Sequence, residues 1–324
     1  MPSHSLTPRI RGLAASLLLS SLPFLASAAP TTVLFVGNSF TYGDPAGGPN
    51  LVMPYNRANV TDLNGLNIGG VPGLFKAFTT EKGLSYNVSL ETQPGVGLDW
   101  HYNNRLPLIN QSWDHVVLQS FSTLDAARPG NPASLIQYSG LLANLLFGQN
   151  PNVDIHLDAT WSRADQTYRP GGAFYGQSIY AMEKVVSAGY HAAEAANPHI
   201  DDVIEVGQAW ARTWETGFAD LNPYDGIDAG KVNMWAPDSY HASVFGYYLE
   251  ALMFFGDITD MDPLTIGYDQ VARDLGISAQ QALFLQVLAS QTLQGVPEPE
   301  TMALLFTGLA GLMFARRRTR RTNA

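Results

Sequence analysis

TTVLFVGNSFT, residues 31–41, is the stretch of this sequence that decides its fold. Its first six residues form an apolar run rich in β-branched side chains, which predicts a buried strand. Gly37 allows a sharp turn after that strand, and Asn38 tolerates an unusual backbone angle. Ser39 is therefore expected at the carboxyl end of a strand, near a helix start whose N–H groups can stabilise an oxyanion. A plain strand-to-loop turn is the alternative, since Gly-Asn-Ser is common in turns.

Strand-like and helix-like segments alternate along the rest of the body, without an internal repeat. The strand-like runs are residues 31–36, 85–91, 115–119, 153–159 and 202–206, and the helix-like segments are 74–82, 132–147, 175–196, 243–255 and 279–291. This alternation predicts one α/β domain over residues 29–295, with a five-stranded parallel sheet covered on both faces. In such sheets ligands bind beyond the carboxyl ends of the strands, so the residues after each run are the candidates for chemistry.

A second candidate segment, PDSYH at residues 237–241, lies just before a helix-like segment. A serine nucleophile needs a general base, and a histidine base needs a group that orients it. Asp238 and His241 are three residues apart, which in a turn brings a carboxylate to an imidazole. The alternative is that Asp238 or Ser239 only caps the helix.

Together the two segments resemble the SGNH (GDSL-like) hydrolase superfamily, and HASVFGYYLEALMFF, residues 241–255, is similar to the family's helix behind the histidine. The resemblance implies a flavodoxin-like three-layer α/β/α sandwich that hydrolyses esters without a cofactor. It places the nucleophile on Ser39, the base on His241 and its orienting carboxylate on Asp238.

The resemblance also implies an oxyanion hole. Its first two donors fall on the backbone N–H of Ser39 and of Gly95, with Gly97 in reserve; a glycine loop without chemical importance is the alternative there. The third block departs from the family, because the expected asparagine is absent after the strand at 115–119. Gln119 carries the same amide on a longer arm and is the candidate replacement.

Further side chains near the expected site are candidates for binding substrate, namely Asn38, His101, Trp161 and Arg163. Packing is the alternative for His101 and Trp161. Asp154, His156 and Asp158 alternate along one strand as metal ligands do, but no further ligands cluster nearby in the sequence, so no metal site is predicted.

Composition restricts the partners. Cysteine is absent, which excludes disulfides, thiolate metal sites and a cysteine nucleophile. The formal net charge is −10, and seven of the 18 basic residues lie in the two end segments. The body between them is therefore strongly acidic and would repel nucleic acid.

Both ends read as targeting segments. Residues 1–28 have the basic start, apolar stretch and Ala-Ser-Ala ending of a signal peptide, which signal peptidase would remove. Residues 296–324 combine VPEPE, an apolar helix and an arginine cluster, and they resemble the bacterial PEP-CTERM sorting signal. That resemblance implies membrane insertion through the C-terminal helix, cleavage by an exosortase-type enzyme, and a final location at the cell envelope, cell surface or extracellular matrix.

The sequence thus predicts an exported serine ester hydrolase that works through an acyl-enzyme, with acylated carbohydrate or exopolysaccharide as the favoured substrate. A catalytically weak carbohydrate-binding protein and a structural matrix protein are the alternatives from other classes. Lipase or thioesterase activity is an alternative within the enzymes, and the absence of a long apolar lid disfavours lipids.

Overall fold

The computed structural model describes residues 29–295; the predicted signal peptide and sorting segment lie outside them. The described residues contain one parallel sheet, in the order β2-β3-β1-β4-β5-β6. Its strands are β1 (Thr31–Gly37), β2 (Thr61–Asp62), β3 (Tyr86–Thr92), β4 (His115–Leu118), β5 (Asp154–Asp158) and β6 (Asp202–Ile204).

All five predicted strands are present, but the sheet has six strands and not the predicted five. The additional strand, β2, contains only Thr61 and Asp62 and pairs with β3 at one edge of the sheet. Two residues cannot produce the alternating or continuous apolar pattern by which a strand is recognised in a sequence. Without β2, the order is that of a flavodoxin-like sheet.

Helices connect the strands and cover both faces. They are α1 (Ser39–Tyr42), α2 (Gly70–Glu81), α3 (Leu98–Ile109), α4 (Ala133–Gln149), α5 (Ala164–Tyr168), α6 (Ile179–Ala196), α7 (Val206–Glu215), α8 (Val244–Thr259), α9 (Gln270–Asp274) and α10 (Ala279–Leu293), with a 3₁₀ turn at Pro263–Thr265. Within residues 29–295, no helix has the length and apolar character that crossing a membrane requires.

The two faces of the sheet have separate cores. Val33 and Phe35 of β1 point into one, which is shared with α2, α7, α8 and α10, whereas Leu34 and Val36 point into the other, shared with α3, α4 and α6. Successive strand residues face opposite sides, so a strand buried on both must be apolar throughout. These two cores confirm the predicted three-layer α/β/α architecture.

Candidate active site

The turn that carries Ser39, the predicted nucleophile, lies at the carboxyl end of β1, in the middle of the sheet. Gly37 ends the strand in a crowded position: a Cβ placed there would lie 2.1 Å from Thr41 Oγ1 and 2.7 Å from Gln119 Oε1. Asn38 then caps α1 by accepting a hydrogen bond from the backbone N–H of Phe40 at 3.1 Å. Ser39 follows as the first helical residue, with 4% of its surface exposed.

The Asn38 side chain also joins the loops that follow three strands. Its Nδ2 donates to the carbonyl oxygen of Val96 at 2.9 Å, in the loop after β3, and to that of Ser120 at 3.2 Å, in the loop after β4. Asn38 was predicted to bind substrate. In the structure, both ends of its amide hold the loops around Ser39.

A tight turn before α8 carries the other two predicted catalytic residues. Asp238 Oδ1 accepts hydrogen bonds from the backbone N–H groups of Tyr240 and His241, both at 3.0 Å. Ser239, which follows Asp238, has a φ of +59°, in the left-handed region that residues other than glycine rarely occupy. This strained backbone folds the carboxylate of Asp238 back onto the imidazole of His241.

The two turns meet in a continuous chain of hydrogen bonds. His241 Nε2 lies 2.8 Å from Ser39 Oγ, and His241 Nδ1 lies 2.6 Å from Asp238 Oδ2. Residues 202 positions apart in the chain are thus within hydrogen-bonding distance. This is the relation among nucleophile, base and orienting carboxylate that serine hydrolysis requires.

The environment of Asp238 keeps its carboxylate ionised. Partial burial acts to raise the pKa of Asp238, but the hydrogen bonds from His241 and from the two backbone N–H groups outweigh it, so that pKa lies below its usual value. A permanent negative charge next to Nδ1 favours the tautomer in which Nδ1 carries the proton. In that tautomer, His241 Nε2 is free to accept the proton of Ser39.

The three predicted oxyanion donors differ in their availability. Among residues 29–295, no acceptor is found for the backbone N–H of Ser39 or of Gly95. The Gln119 amide, in contrast, is engaged at both ends: its Oε1 accepts from the backbone N–H of Asn38 at 2.8 Å, and its Nε2 donates to the carbonyl oxygen of Ser120. In this arrangement Gln119 holds the turn that carries Ser39.

Gly95 lies beside a cavity of about 340 Å³ between the loops that follow β3 and β4. Gly95 adopts a φ of +67°, which glycine allows without strain. The cavity wall combines an aromatic side chain with acidic ones; Gly97, Asp99, Trp100, Ser120, Leu124 and Asp125 contribute to it. Gly97, the reserve oxyanion candidate, lies on the same wall.

Trp161 follows β5 as predicted, but its side chain turns inward and has no exposed surface. The indole stacks between Phe40 at 4.2 Å and Trp210 at 4.6 Å, and its Nε1 donates to the carbonyl oxygen of Tyr240 at 3.1 Å. Since Phe40 follows Ser39 and Tyr240 precedes His241, this side chain supports both turns that carry the predicted catalytic residues.

Arg163 is likewise committed to partners inside the fold. Its guanidinium binds Asp165 with two hydrogen bonds, at 3.0 and 2.7 Å, and lies 3.5 Å above the ring of Tyr240. Asp165 in turn donates its backbone N–H to the carbonyl oxygen of Ser239 at 3.2 Å. The pair therefore supports the turn that contains Asp238 and His241.

His101 has no exposed surface either. Its Nδ1 lies 2.5 Å from Glu91 Oε2, at the end of β3, and no described residue is a hydrogen-bond partner for its buried Nε2. The carboxylate of Glu91 also accepts from Asn64 Nδ2 at 3.1 Å and lies 3.6 Å from Arg105. The imidazole is thus part of a buried polar cluster beneath α3.

One residue that contacts Ser39, the predicted nucleophile, was not identified from the sequence. Tyr247 of α8 is fully buried, and its hydroxyl lies 3.3 Å from the carbonyl oxygen of Ser39 and 3.0 Å from that of Asp44. Its place six residues after His241 put it on the predicted helix, but nothing in the sequence indicated which way the phenol points.

The first comparison with known proteins concerns the C-terminus. Residues 295–321 match the PEP-CTERM protein-sorting motif. The sorting signal predicted from the sequence is therefore confirmed, and it marks an exported protein of the bacterial cell envelope or surface. None of the curated proteins compared with the chain matches it.

Solved structures with a similar fold provide the second comparison. A DUF4886 family protein from Bacteroides uniformis aligns with a TM-score of 0.58 at 18% identity, covering 82% of this chain and 95% of its own. A putative SGNH hydrolase from Slackia heliotrinireducens aligns at 0.47 and 18% identity, covering 71% and 99%. A putative GDSL-like lipase from Parabacteroides merdae aligns at 0.46 and 16% identity, covering 72% and 96%. At 18% identity the likeness to the DUF4886 family protein shows the fold alone, and no argument rests on the two alignments with lower TM-scores.

Proposed function

We propose that the chain is an exported serine ester hydrolase with Ser39 as nucleophile, His241 as general base and Asp238 as the group that orients the base. One observation carries the proposal: Ser39 Oγ lies 2.8 Å from an imidazole whose other nitrogen lies 2.6 Å from a carboxylate. A serine hydroxyl alone is a weak nucleophile, and this arrangement activates it.

The reaction proceeds through an acyl-enzyme. His241 Nε2 takes the proton of Ser39 as Oγ attacks the ester carbonyl carbon, and the backbone N–H groups of Ser39 and Gly95 stabilise the oxyanion. Collapse of the tetrahedral intermediate expels the alcohol, which receives the proton from His241. Water, deprotonated by the same imidazole, then attacks the acyl group and releases the acid and Ser39.

The remaining predicted residues receive positioning roles in this proposal. Gln119 and Asn38 hold the nucleophile turn, while Trp161 and Arg163 hold the turn of the base. His101 stabilises the loop that presents Gly95, through its buried contact with Glu91. Contacts of these five side chains with substrate, or of Gln119 with the oxyanion, need rearrangement of the hydrogen bonds that now engage them.

Acylated carbohydrate is the substrate class that we favour. The cavity beside Gly95 is about 340 Å³, a volume typical of small-molecule sites, and it combines Trp100 with the acidic side chains of Asp99 and Asp125. An aromatic ring with neighbouring hydrogen-bond acceptors suits a sugar ring that carries hydroxyl groups. The sorting signal places the chain where envelope polysaccharides are found.

Hydrolysis of p-nitrophenyl acetate and of longer acyl esters by the full-length chain, beside Ser39→Ala, tests the proposal. We expect activity that the mutant lacks, labelling of Ser39 by a serine-reactive phosphonate, and release of acetate from an acetylated polysaccharide. A folded wild type that is inert toward both ester and phosphonate would contradict an esterase and would favour a binding or matrix protein.

A further inference from the structure

A second group of ionisable side chains lies at the opposite, amino-terminal edge of the sheet. His156 of β5 and Asp202 of β6 are neighbours in the register of the two strands, and Asp257 reaches them from the last turns of α8. The ligand atoms of the three residues all lie within 4.8 Å of one another. The alternating set considered in the sequence does not assemble, because Asp158 lies beside Glu250 in the interior.

One nitrogen faces three carboxylate oxygens in this group. His156 Nδ1 lies 3.0 and 3.1 Å from the two oxygens of Asp202 and 2.9 Å from Asp257 Oδ1. An imidazole nitrogen carries at most one hydrogen, so it cannot donate along all three contacts. When that hydrogen points to Asp202, the buried Asp257 Oδ1 keeps its short contact with Nδ1 but has no hydrogen bond from the described residues. Such a buried carboxylate oxygen is costly, and a cation bound between the three ligands satisfies it.

The other nitrogen of His156 has the neighbour that a metal ligand needs. His156 Nε2 lies 3.2 Å from His115 Nδ1, and the two rings stack with centroids 5.5 Å apart. A neutral imidazole carries its hydrogen on one ring nitrogen only, so His115 Nδ1 can accept a hydrogen bond from His156 Nε2. A metal on His156 Nδ1 leaves the hydrogen on Nε2, which then donates to His115. Metal-binding histidines are typically oriented by such a second hydrogen bond.

We propose that His156 Nδ1, the Asp202 carboxylate and Asp257 Oδ1 form a binding site for a divalent transition-metal ion such as Zn²⁺. Two carboxylates and a neutral imidazole balance the charge of the ion, and the imidazole favours a transition metal over Ca²⁺. Zinc ligands lie about 2.0–2.2 Å from the ion, which in a tetrahedral site places them roughly 3.3–3.6 Å apart. The spacings from His156 Nδ1 to the carboxylate oxygens, 2.9–3.1 Å, therefore need to widen by only a few tenths of an ångström, and the carboxylate oxygens lie within 4.8 Å of one another. The Asp202 side chain is 42% exposed and gives solvent a route to the site.

His191 provides a matched control on the same protein. It also contacts two carboxylates, but through different nitrogens: Nδ1 lies 2.8 Å from Glu194 and Nε2 lies 2.7 Å from Glu205. The two carboxylates therefore lie on opposite sides of the imidazole and do not converge on one point. A His191→Gln variant removes a histidine with two acidic neighbours without touching the proposed site.

The experiment is Zn²⁺ titration of the untagged, full-length chain, treated with chelator beforehand, by calorimetry and by metal analysis after dialysis. We expect one equivalent of Zn²⁺ for the wild type and for His191→Gln, and affinity lower by at least about tenfold for Asp257→Asn. Asp202→Asn, at a half-exposed position, is the second variant should Asp257→Asn fail to fold. The circular dichroism spectrum of each variant reports its fold.

Three results would overturn the inference. The first is a wild type that binds no Zn²⁺, or binds it no more tightly than the folded Asp257→Asn and Asp202→Asn variants. The second is tighter binding of Ca²⁺ than of Zn²⁺, which would show that the imidazole is not a ligand. The third is a loss of Zn²⁺ affinity in His191→Gln equal to that in Asp257→Asn, which would show that the ion binds elsewhere.

Discussion

Replacing Asp238 by asparagine tests the proposed mechanism at one atom. Asp238 Oδ1 accepts two backbone N–H groups, each at 3.0 Å, while Oδ2 lies 2.6 Å from His241 Nδ1. An asparagine must leave its carbonyl oxygen on the two N–H groups, since an NH₂ group there would face two other donors. Its NH₂ group therefore faces His241 Nδ1 and forces that nitrogen to be the acceptor.

The hydrogen of the imidazole then moves to Nε2, which points at Ser39 Oγ at 2.8 Å. A protonated Nε2 cannot accept the proton of Ser39, although every heavy atom stays in place. We expect kcat/KM to fall by about 10⁴, the loss known for a wrong histidine tautomer in a serine triad. That factor corresponds to about 5 kcal/mol of transition-state stabilisation.

The assay is kcat/KM for p-nitrophenyl acetate at neutral pH, with near-UV circular dichroism as the check on folding. Asp262→Asn is the matched control, because Asp262 Oδ1 also caps a turn, at 2.9 Å from the backbone nitrogen of Leu264, far in sequence from the triad. An Asp238→Asn variant that keeps its fold and stays within about tenfold of wild-type activity would refute the tautomer argument.

Two further predictions concern the nucleophile turn and the core. Gly37→Ala places a methyl group 2.1 Å from Thr41 Oγ1, so we expect about 1–3 kcal/mol less stability in urea unfolding and lower activity; Gly148→Ala, with open space around it, should show neither. Glu183→Gln should stabilise the protein at about pH 8 but not near pH 4, because burial first and then the charge of Glu205 raise the pKa of Glu183 to about 7. The folded state therefore holds that proton more tightly than the unfolded state, and stability is lost as pH rises from about 4 to 7. Thermal unfolding across this range checks it, and a mutant no more stable than wild type at about pH 8 contradicts it.

The strand–helix pattern was sufficient for the architecture, because buried parallel strands must be apolar on both faces. It was insufficient at edges and boundaries. Val206 was assigned to the end of the last predicted strand but begins α7, since an apolar residue fits a buried helix as well as a buried strand. The helix α3, Leu98–Ile109, was not predicted: its buried residues are few, and Pro107 lies within it. Such a segment has neither periodicity nor helix propensity to reveal it.

The sequence likewise predicted some features of the candidate site and not others. Ser39, Asp238 and His241 were chosen because each lies in a short local motif, and local geometry brings Asp238 and His241 together. Gln119 and Trp161 were placed at the correct edge by their position after a strand, but the direction of each side chain depends on a distant partner. Gln119 turns to Asn38, 81 positions away, and the indole of Trp161 donates to Tyr240, 79 positions away. A single sequence carries no signal of these contacts.

The stacked tryptophans around Trp161 provide an intrinsic spectroscopic signal. Trp161 and Trp210 lie 4.6 Å apart with their rings only 4° from parallel, and Trp214 and Trp235 stack close by at 5.2 Å. Four of the six tryptophans of the chain thus share one cluster, in which the electronic transitions of neighbouring indoles couple. Because Phe40, the residue after Ser39, stacks on Trp161, we expect formation of the proposed acyl-enzyme to change the near-ultraviolet dichroism and the emission of the protein without any added label.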